Sequence, residues 1–73
     1  STNQKLKERS KRIVMKFTGN SYDEASTLLE KADGHVKTAL VMSLASMNKT
    51  GAHNLLQKHD GFIRKALQDY LNE

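Results

Sequence analysis

At 73 residues, the chain makes one small domain at most, and a core of that size supplies only a few kcal/mol of net stability. It has no cysteine, and its histidines, His35, His53 and His59, are scattered, so neither a disulfide nor a cysteine zinc site is open to it, and helix packing is what remains. The net charge of +4 is uneven, with six basic and one acidic residue in positions 1–20 against six basic and seven acidic in 21–73. The basic character therefore belongs to the first helix alone, a narrower footprint than a nucleic-acid-binding domain usually shows. No apolar run approaches the roughly 18 residues of a bilayer span, and the first residues lack the apolar core of a signal peptide. The start, Ser1-Thr2-Asn3 without methionine, reads as a processed chain or a piece excised from a longer one.

Residues 4–18 read as an amphipathic helix, with Leu6, Ile13, Val14 and Phe17 at helical spacing. Lys5, Arg9, Arg12 and Lys16 form a second stripe beside them, and Lys11 falls on the back, where exposure is expected. Gly19 ends the helix and Asn20 sits in the turn. The run Ser21-Tyr22-Asp23-Glu24 is a capping box. It opens a helix over 22–32 that buries Ala25, Leu28, Leu29 and Ala32. Asp33-Gly34 breaks it, because glycine enters the left-handed region without steric cost. A third helix over 35–46 carries Val36, Ala39, Leu40, Ser43 and Leu44 on one face. Val41 and Met42 widen that face, so this helix is expected to be the most buried. A polar turn leads to a fourth helix over 49–59 with Ala52, Leu55 and Leu56. Asp60-Gly61 breaks again, and a fifth helix over 62–72 shows Ile63, Ala66, Leu67, Tyr70 and Leu71. No window alternates for long enough to be a strand.

A shift of 27 residues lays one part of this pattern on another. Ala25 falls on Ala52, Leu28-Leu29 on Leu55-Leu56, Asp33-Gly34 on Asp60-Gly61, Val36 on Ile63, Ala39-Leu40 on Ala66-Leu67 and Leu44 on Leu71. Each copy is a helix, an Asp-Gly corner and a helix. One such hairpin cannot bury its apolar face alone, whereas two hairpins and a leading helix can. The expected fold is all-α, a small five-helix bundle in which a three-helix unit over about 4–46 precedes a second helical hairpin over about 49–72.

The segment RIVMKFTGNSYDEASTLLEKADGHVKTALVMSL resembles the ubiquitin-associated type of three-helix module. The whole chain resembles something narrower. TNQKLKERSKRIVM, TGNSYDEA, LLEKADGHVKTALVM and GFIRKAL, in that order, are similar to the C-terminal helical domain of bacterial N-acetylmuramic acid 6-phosphate etherases. That resemblance implies a cytoplasmic parent enzyme, a homodimer of cell-wall sugar recycling. It cleaves the lactyl ether of N-acetylmuramic acid 6-phosphate, giving N-acetylglucosamine 6-phosphate and D-lactate. Lactate is eliminated across the sugar C2–C3 bond and water is then added. Two acid/base carboxylates do this without metal or organic cofactor. They lie, with the main phosphate-binding loop, in a preceding sugar-isomerase-type domain that is missing here. Residues 1–73 would then be one helical domain with no catalytic residue of its own.

The residues themselves agree with that absence. The acidic side chains read as caps (Asp23, Glu24), corners (Asp33, Asp60) or scattered surface groups (Glu8, Glu30, Asp69, Glu73), with no paired carboxylates. The histidines lack the spacing of a metal site, and Met15, Met42 and Met47 read as core fillers. The sharpest candidate is the stripe Lys5, Arg9, Arg12 and Lys16, suited to a sugar phosphate, the missing domain or a partner subunit, against the plainer reading of a solvated helix face. Two other classes stand beside the etherase reading. A free-standing ubiquitin-associated-like interaction module requires an exposed apolar patch around Phe17 to Asn20, where the turn is mostly polar. A nucleic-acid binder requires stacking aromatics beside the stripe. No membrane or nucleic-acid partner is expected.

Overall fold

The structure, a computed structural model, describes residues 2–72; Ser1 and Glu73, with the readings placed on them, lie outside the described residues. Five helices follow one another: α1 (Thr2–Thr18), α2 (Tyr22–Lys31), α3 (Val36–Leu44), α4 (Lys49–Lys58) and α5 (Ile63–Leu71). No strand occurs among the described residues. The helix α1 packs on α2 and α3, and α3 in turn packs on α4 and α5.

The capping box forms as expected. The Ser21 side chain accepts from the Glu24 N–H at 3.1 Å, and the Glu24 carboxylate accepts from the Ser21 N–H at 2.8 Å. Asn48 caps α4 in the same way, accepting from the Gly51 N–H at 2.8 Å. Ser21 and Asn48 are 27 residues apart, so the repeat extends to its N-caps.

The two corners are built alike. Asp33 and Asp60 both have φ 55°, and Gly34 and Gly61 have φ 82° and 80°. The Gly34 N–H donates to Leu29 O and the Gly61 N–H to Leu56 O, each at 2.8 Å. The Asp33 and Asp60 N–H groups donate to Glu30 O and Gln57 O, each at 3.1 Å. The last carbonyls of α2 and α4 are thereby satisfied by a left-handed corner. The glycine does not carry the corner alone, because the aspartate before it is left-handed too, a position that aspartate tolerates better than most side chains.

The repeat also reaches further back than the two hairpins. Shifted by 27 residues, Ile13-Val14-Met15 falls on Leu40-Val41-Met42 and Gly19 on Ser46. Val14 and Val41 are the largest fully buried side chains. Gly19 and Ser46 are both left-handed, at φ 77° and 53°, and Ser46 ends α3 two residues before the sequence pattern suggests. So α1-α2-α3 and α3-α4-α5 are two turns of one array that share α3. Burial keeps step: Ala25 and Ala52 are at 0 %, Leu29 and Leu56 at 7 %, Ala39 and Ala66 at 0 %.

Five apolar residues expected on packing faces are instead exposed: Leu6 (56 %), Phe17 (60 %), Leu44 (41 %), Tyr70 (37 %) and Leu71 (65 %). Phe17, Leu44 and Leu71 occupy equivalent positions in successive copies, in or next to the last turn of α1, α3 and α5. In α1 the seat for α2 and α3 centres on Val14, with half-buried Lys11, Met15 and Thr18 beside it. That seat is about 80–120° round the helix from the Leu6–Phe17 edge.

Both corner glycines should be intolerant for the same reason. A Cβ on Gly34 or Gly61 meets nothing within 4 Å, so the penalty is conformational. Gly34→Val and Gly61→Val are each expected to cost about 1–2 kcal/mol or more in urea melts. In contrast, Gly51→Ala, inside α4 with its Cβ at ordinary contact distance from 3.4 Å upward, is expected to be neutral or to stabilise by up to about 1 kcal/mol. Leu40→Ala is expected to cost about 2–5 kcal/mol and Leu71→Ala less than about 0.5 kcal/mol, although the sequence pattern places both on apolar faces. Equal costs for the two leucines would contradict the packing described.

Candidate functional site

Lys5, Arg9, Arg12 and Lys16 are all exposed on one face of α1. At 1.5 Å per residue the stripe runs for about 17 Å. The Lys16 ammonium lies 5.7 Å from the centre of the Phe17 ring. Glu8 borders the stripe and, with Gln4, Lys5, Arg9 and Arg12, lines a shallow depression on this face.

The register of the repeat gives the stripe a meaning that its composition does not. Positions 5, 9, 12 and 16 correspond to Ala32, Val36, Ala39 and Ser43 one copy later. Ala32 and Ala39 are fully buried, and Ser43 accepts from Asn20 Nδ2 at 3.0 Å, which puts this side of α3 against the α1–α2 turn. The basic face of α1 thus occupies the register through which α3 packs on the preceding hairpin.

Beside the stripe, α1 and α2 are clasped by three polar groups. The Tyr22 hydroxyl donates to Glu8, 2.8 Å from Oε2 and 3.0 Å from Oε1. Lys11 Nζ donates to the Tyr22 oxygen and to Glu8 Oε2, both at 3.1 Å, and lies 4.8 Å from the Tyr22 ring centre. Lys11, expected on the exposed back of α1, is therefore a half-buried contact between helices. The sequence hid this because α1 carries basic residues on both of its polar sides. The Tyr22 hydrogen bond and then Lys11 hold the Glu8 carboxyl below its ordinary value.

Elsewhere the ionisable groups tie helices together. Asp33 in the first corner pairs with Lys49 at the start of α4, while Lys37 of α3 donates to the Gly61 carbonyl of the second corner at 2.8 Å. The Asp33 carboxyl is held low, chiefly by the Lys49 hydrogen bond, and Glu24 by its bonds to Ser21. His59 Nε2 meets Asp69 Oδ2 at 3.1 Å, with Lys58 at 3.8 Å. A proton-transferring carboxyl that works near neutrality needs its pKa raised toward 7. Glu8, Glu24 and Asp33 are all shifted the other way. Among the described residues no group of three histidine or acidic side chains could hold a metal ion, and no helix is long and apolar enough to cross a membrane.

Comparison with known proteins gives one consistent result. The chain is 52% identical over 68 residues to an N-acetylmuramic acid 6-phosphate etherase of Geobacillus thermodenitrificans, a match that covers 93% of this chain and 23% of the relative. It is 49% identical over 67 residues to the etherase of Listeria welshimeri, covering 92% and 23%, and 48% identical over 69 residues to that of Bacillus subtilis, covering 94% and 23%. The chain is homologous to one segment of these etherases. It spans about a quarter of the length of these curated relatives. No family model matches the chain, and no solved structure does.

The depressed carboxyls of this chain set its response to acid. A carboxyl with a lowered folded-state pKa contributes stability above its unfolded value, and that contribution is lost as pH falls through the folded value. For Glu8, Glu24 and Asp33 the loss begins near the ordinary values of 4.5 and 3.8 and continues below them. The melting temperature is expected to hold from pH 7 to about 5 and to fall below about 4. In the variant Glu8→Gln, Glu24→Gln, Asp33→Asn that fall should be shallower, read by circular dichroism across the pH series.

Proposed function

We propose that residues 1–73 are one helical domain of an N-acetylmuramic acid 6-phosphate etherase, joined in the same cytoplasmic chain to a sugar-isomerase-type domain that carries the catalytic carboxylates. On this reading the enzyme is a homodimeric carbon–oxygen lyase that uses neither metal nor cofactor. It releases D-lactate from N-acetylmuramic acid 6-phosphate and leaves N-acetylglucosamine 6-phosphate. The observation that carries the proposal is the even identity, 48–52% across more than nine-tenths of the chain, with relatives that share that one name.

The geometry supports a non-catalytic role for this part. Glu24 serves a cap, Asp33 a corner, and Glu8 and Asp69 inter-helix contacts, and the environments of Glu8, Glu24 and Asp33 favour the charged form. The cationic face of α1 is the part suited to contact a sugar phosphate or another domain, since arginine offers paired donors to either. Phe17, at 60 % exposure, gives some support to a protein-interaction module. The patch is small, because the turn that follows it is polar and Asn20 is tied to Thr18 and Ser43.

A chimera tests the proposal. This chain replaces the matching segment of the Geobacillus thermodenitrificans etherase, and D-lactate release is measured. The chimera is expected to turn over N-acetylmuramic acid 6-phosphate, and the isolated 73-residue chain is expected to release none. A chimera that is folded and inert beside an active parent would count against the assignment. If Lys5 and Arg9 contact the sugar phosphate, Lys5→Ala with Arg9→Ala in the chimera lowers kcat/KM about ten- to a hundredfold with the melting temperature unchanged.

A further inference from the structure

From the register of the repeat we infer that the basic face of α1 is a docking face for an acidic amphipathic helix. Three observations carry this. First, the four cations stand where helix packing occurs elsewhere in the array. Positions 5, 9, 12 and 16 become Ala32, Val36, Ala39 and Ser43 in α3 and its corner, then His59, Ile63, Ala66 and Tyr70 in α5. In both later copies the centre of that face is covered by an earlier hairpin, with Ala32, Ala39 and Ala66 at 0 % exposure, while Tyr70 at its far end is exposed. In α1 the same face is exposed, and among the described residues no helix packs on it.

Second, the outer faces of α1 and α5 differ in charge. The onward face of α5 corresponds to Val14/Val41, Met15/Met42 and Thr18/Ala45, and it carries Gln68, Asp69 and Asn72. Asp69 is met there by His59 and Lys58. That face is polar and its one acidic group is neutralised, the composition of a solvated repeat face. A solvated face has no need of one sign, yet the stripe on α1 holds two arginines and two lysines, and the one carboxylate at its border, Glu8, is taken up by Tyr22 and Lys11. A single-sign row calls for an oppositely charged partner.

Third, size and surroundings select the partner's shape. Four cations over about 17 Å exceed what one phosphate can span. They match carboxylates at i, i+4, i+7 and i+11 on a facing helix. Leu6 and Phe17, 56 % and 60 % exposed, flank the stripe on one side, about 60–120° round α1. A partner with an apolar edge beside its acidic row would cover both.

The test is a titration of the isotope-labelled 73-residue chain by NMR at physiological salt. The probe is a synthetic helix with glutamates at i, i+4, i+7 and i+11 and leucines along one flank. Amide shifts confined to α1 are expected, saturating at micromolar to millimolar peptide and weakening as salt rises. Arg9→Glu with Arg12→Glu should reduce the affinity about tenfold or more. Lys31→Glu with Arg64→Glu, of equal charge change but off the stripe, should alter it less than about twofold. Unchanged circular dichroism would show that each variant is folded. Absence of binding, equal loss in both variants, or the same shifts at lower concentration with inorganic phosphate or duplex DNA would each overturn the inference. It does not depend on the etherase reading: failure of the peptide titration would leave lactate release by the chimera untouched, and failure of the chimera would leave the docking face standing.

Discussion

Everything in this molecule is arranged around a nine-residue helix that must be buried on two opposite sides. At about 100° per residue, Val36, Ala39, Leu40 and Ser43 of α3 form one face, and Thr38, Val41, Met42 and Ala45 form the other. Thr38, Ala39, Leu40, Val41, Met42 and Ala45 are all buried. A helix apolar all round cannot sit at a surface, so α3 needs an α1–α2 layer on one side and an α4–α5 layer on the other. Removing either layer would bare half of α3, which is why five helices are the fewest that can satisfy it. The small side chains Thr38, Ala39 and Ala45 let neighbouring helices approach from both sides.

That constraint was legible, because local chemistry wrote most of it down. The capping box, the Asp-Gly corners and the central position of α3 could all be read from residue type and spacing. What was not legible was which edge of an amphipathic helix meets its neighbour. In α1 the apolar spacing pointed to Leu6 and Phe17, while the packing seat lies further round, at Val14 and Thr18. Lys11 was misplaced for the same reason, since an ammonium on a flexible stem can be packed against Tyr22 and Glu8 when a tyrosine is positioned to receive it. The correspondence of Ile13-Val14-Met15 with Leu40-Val41-Met42 was visible in the letters. It was obscured because α1 is twice as long as α3 and strongly charged. Of the candidate site, the stripe itself was legible, but its place in the packing register required the structure.

The second turn of the array repeats the first in backbone and alters it in chemistry. Ala32 and Met42, both buried, become His59 and Asp69, which bond to each other at 3.1 Å. Two buried apolar residues of the first copy are thus replaced in the second by a bonded polar pair that solvent reaches. The cross-ties follow the same logic of economy. Lys49 binds the first corner from the start of α4, and Lys37 binds the second corner from α3. Each lysine thus links one hairpin to the other. Exposed pairs of this kind contribute little energy, but they fix which corner lies beside which helix.

The same reasoning bears on the charge of α1. The outer faces of α1 and α5 stand in the register of packing faces, and among the described residues no further helix packs on them. At α5 the answer is dilution, with glutamine, aspartate and asparagine replacing valine, methionine and alanine. At α1 the answer is substitution by one sign of charge in the register of Ala32, Val36, Ala39 and Ser43. Like charges at i, i+4 and i, i+3 repel and weaken a helix by a few tenths of a kcal/mol per pair. A face that needed only solubility would avoid that cost by mixing signs, as the rest of this chain does. The uniform sign is therefore better explained by what the face meets than by the stability of the helix that carries it.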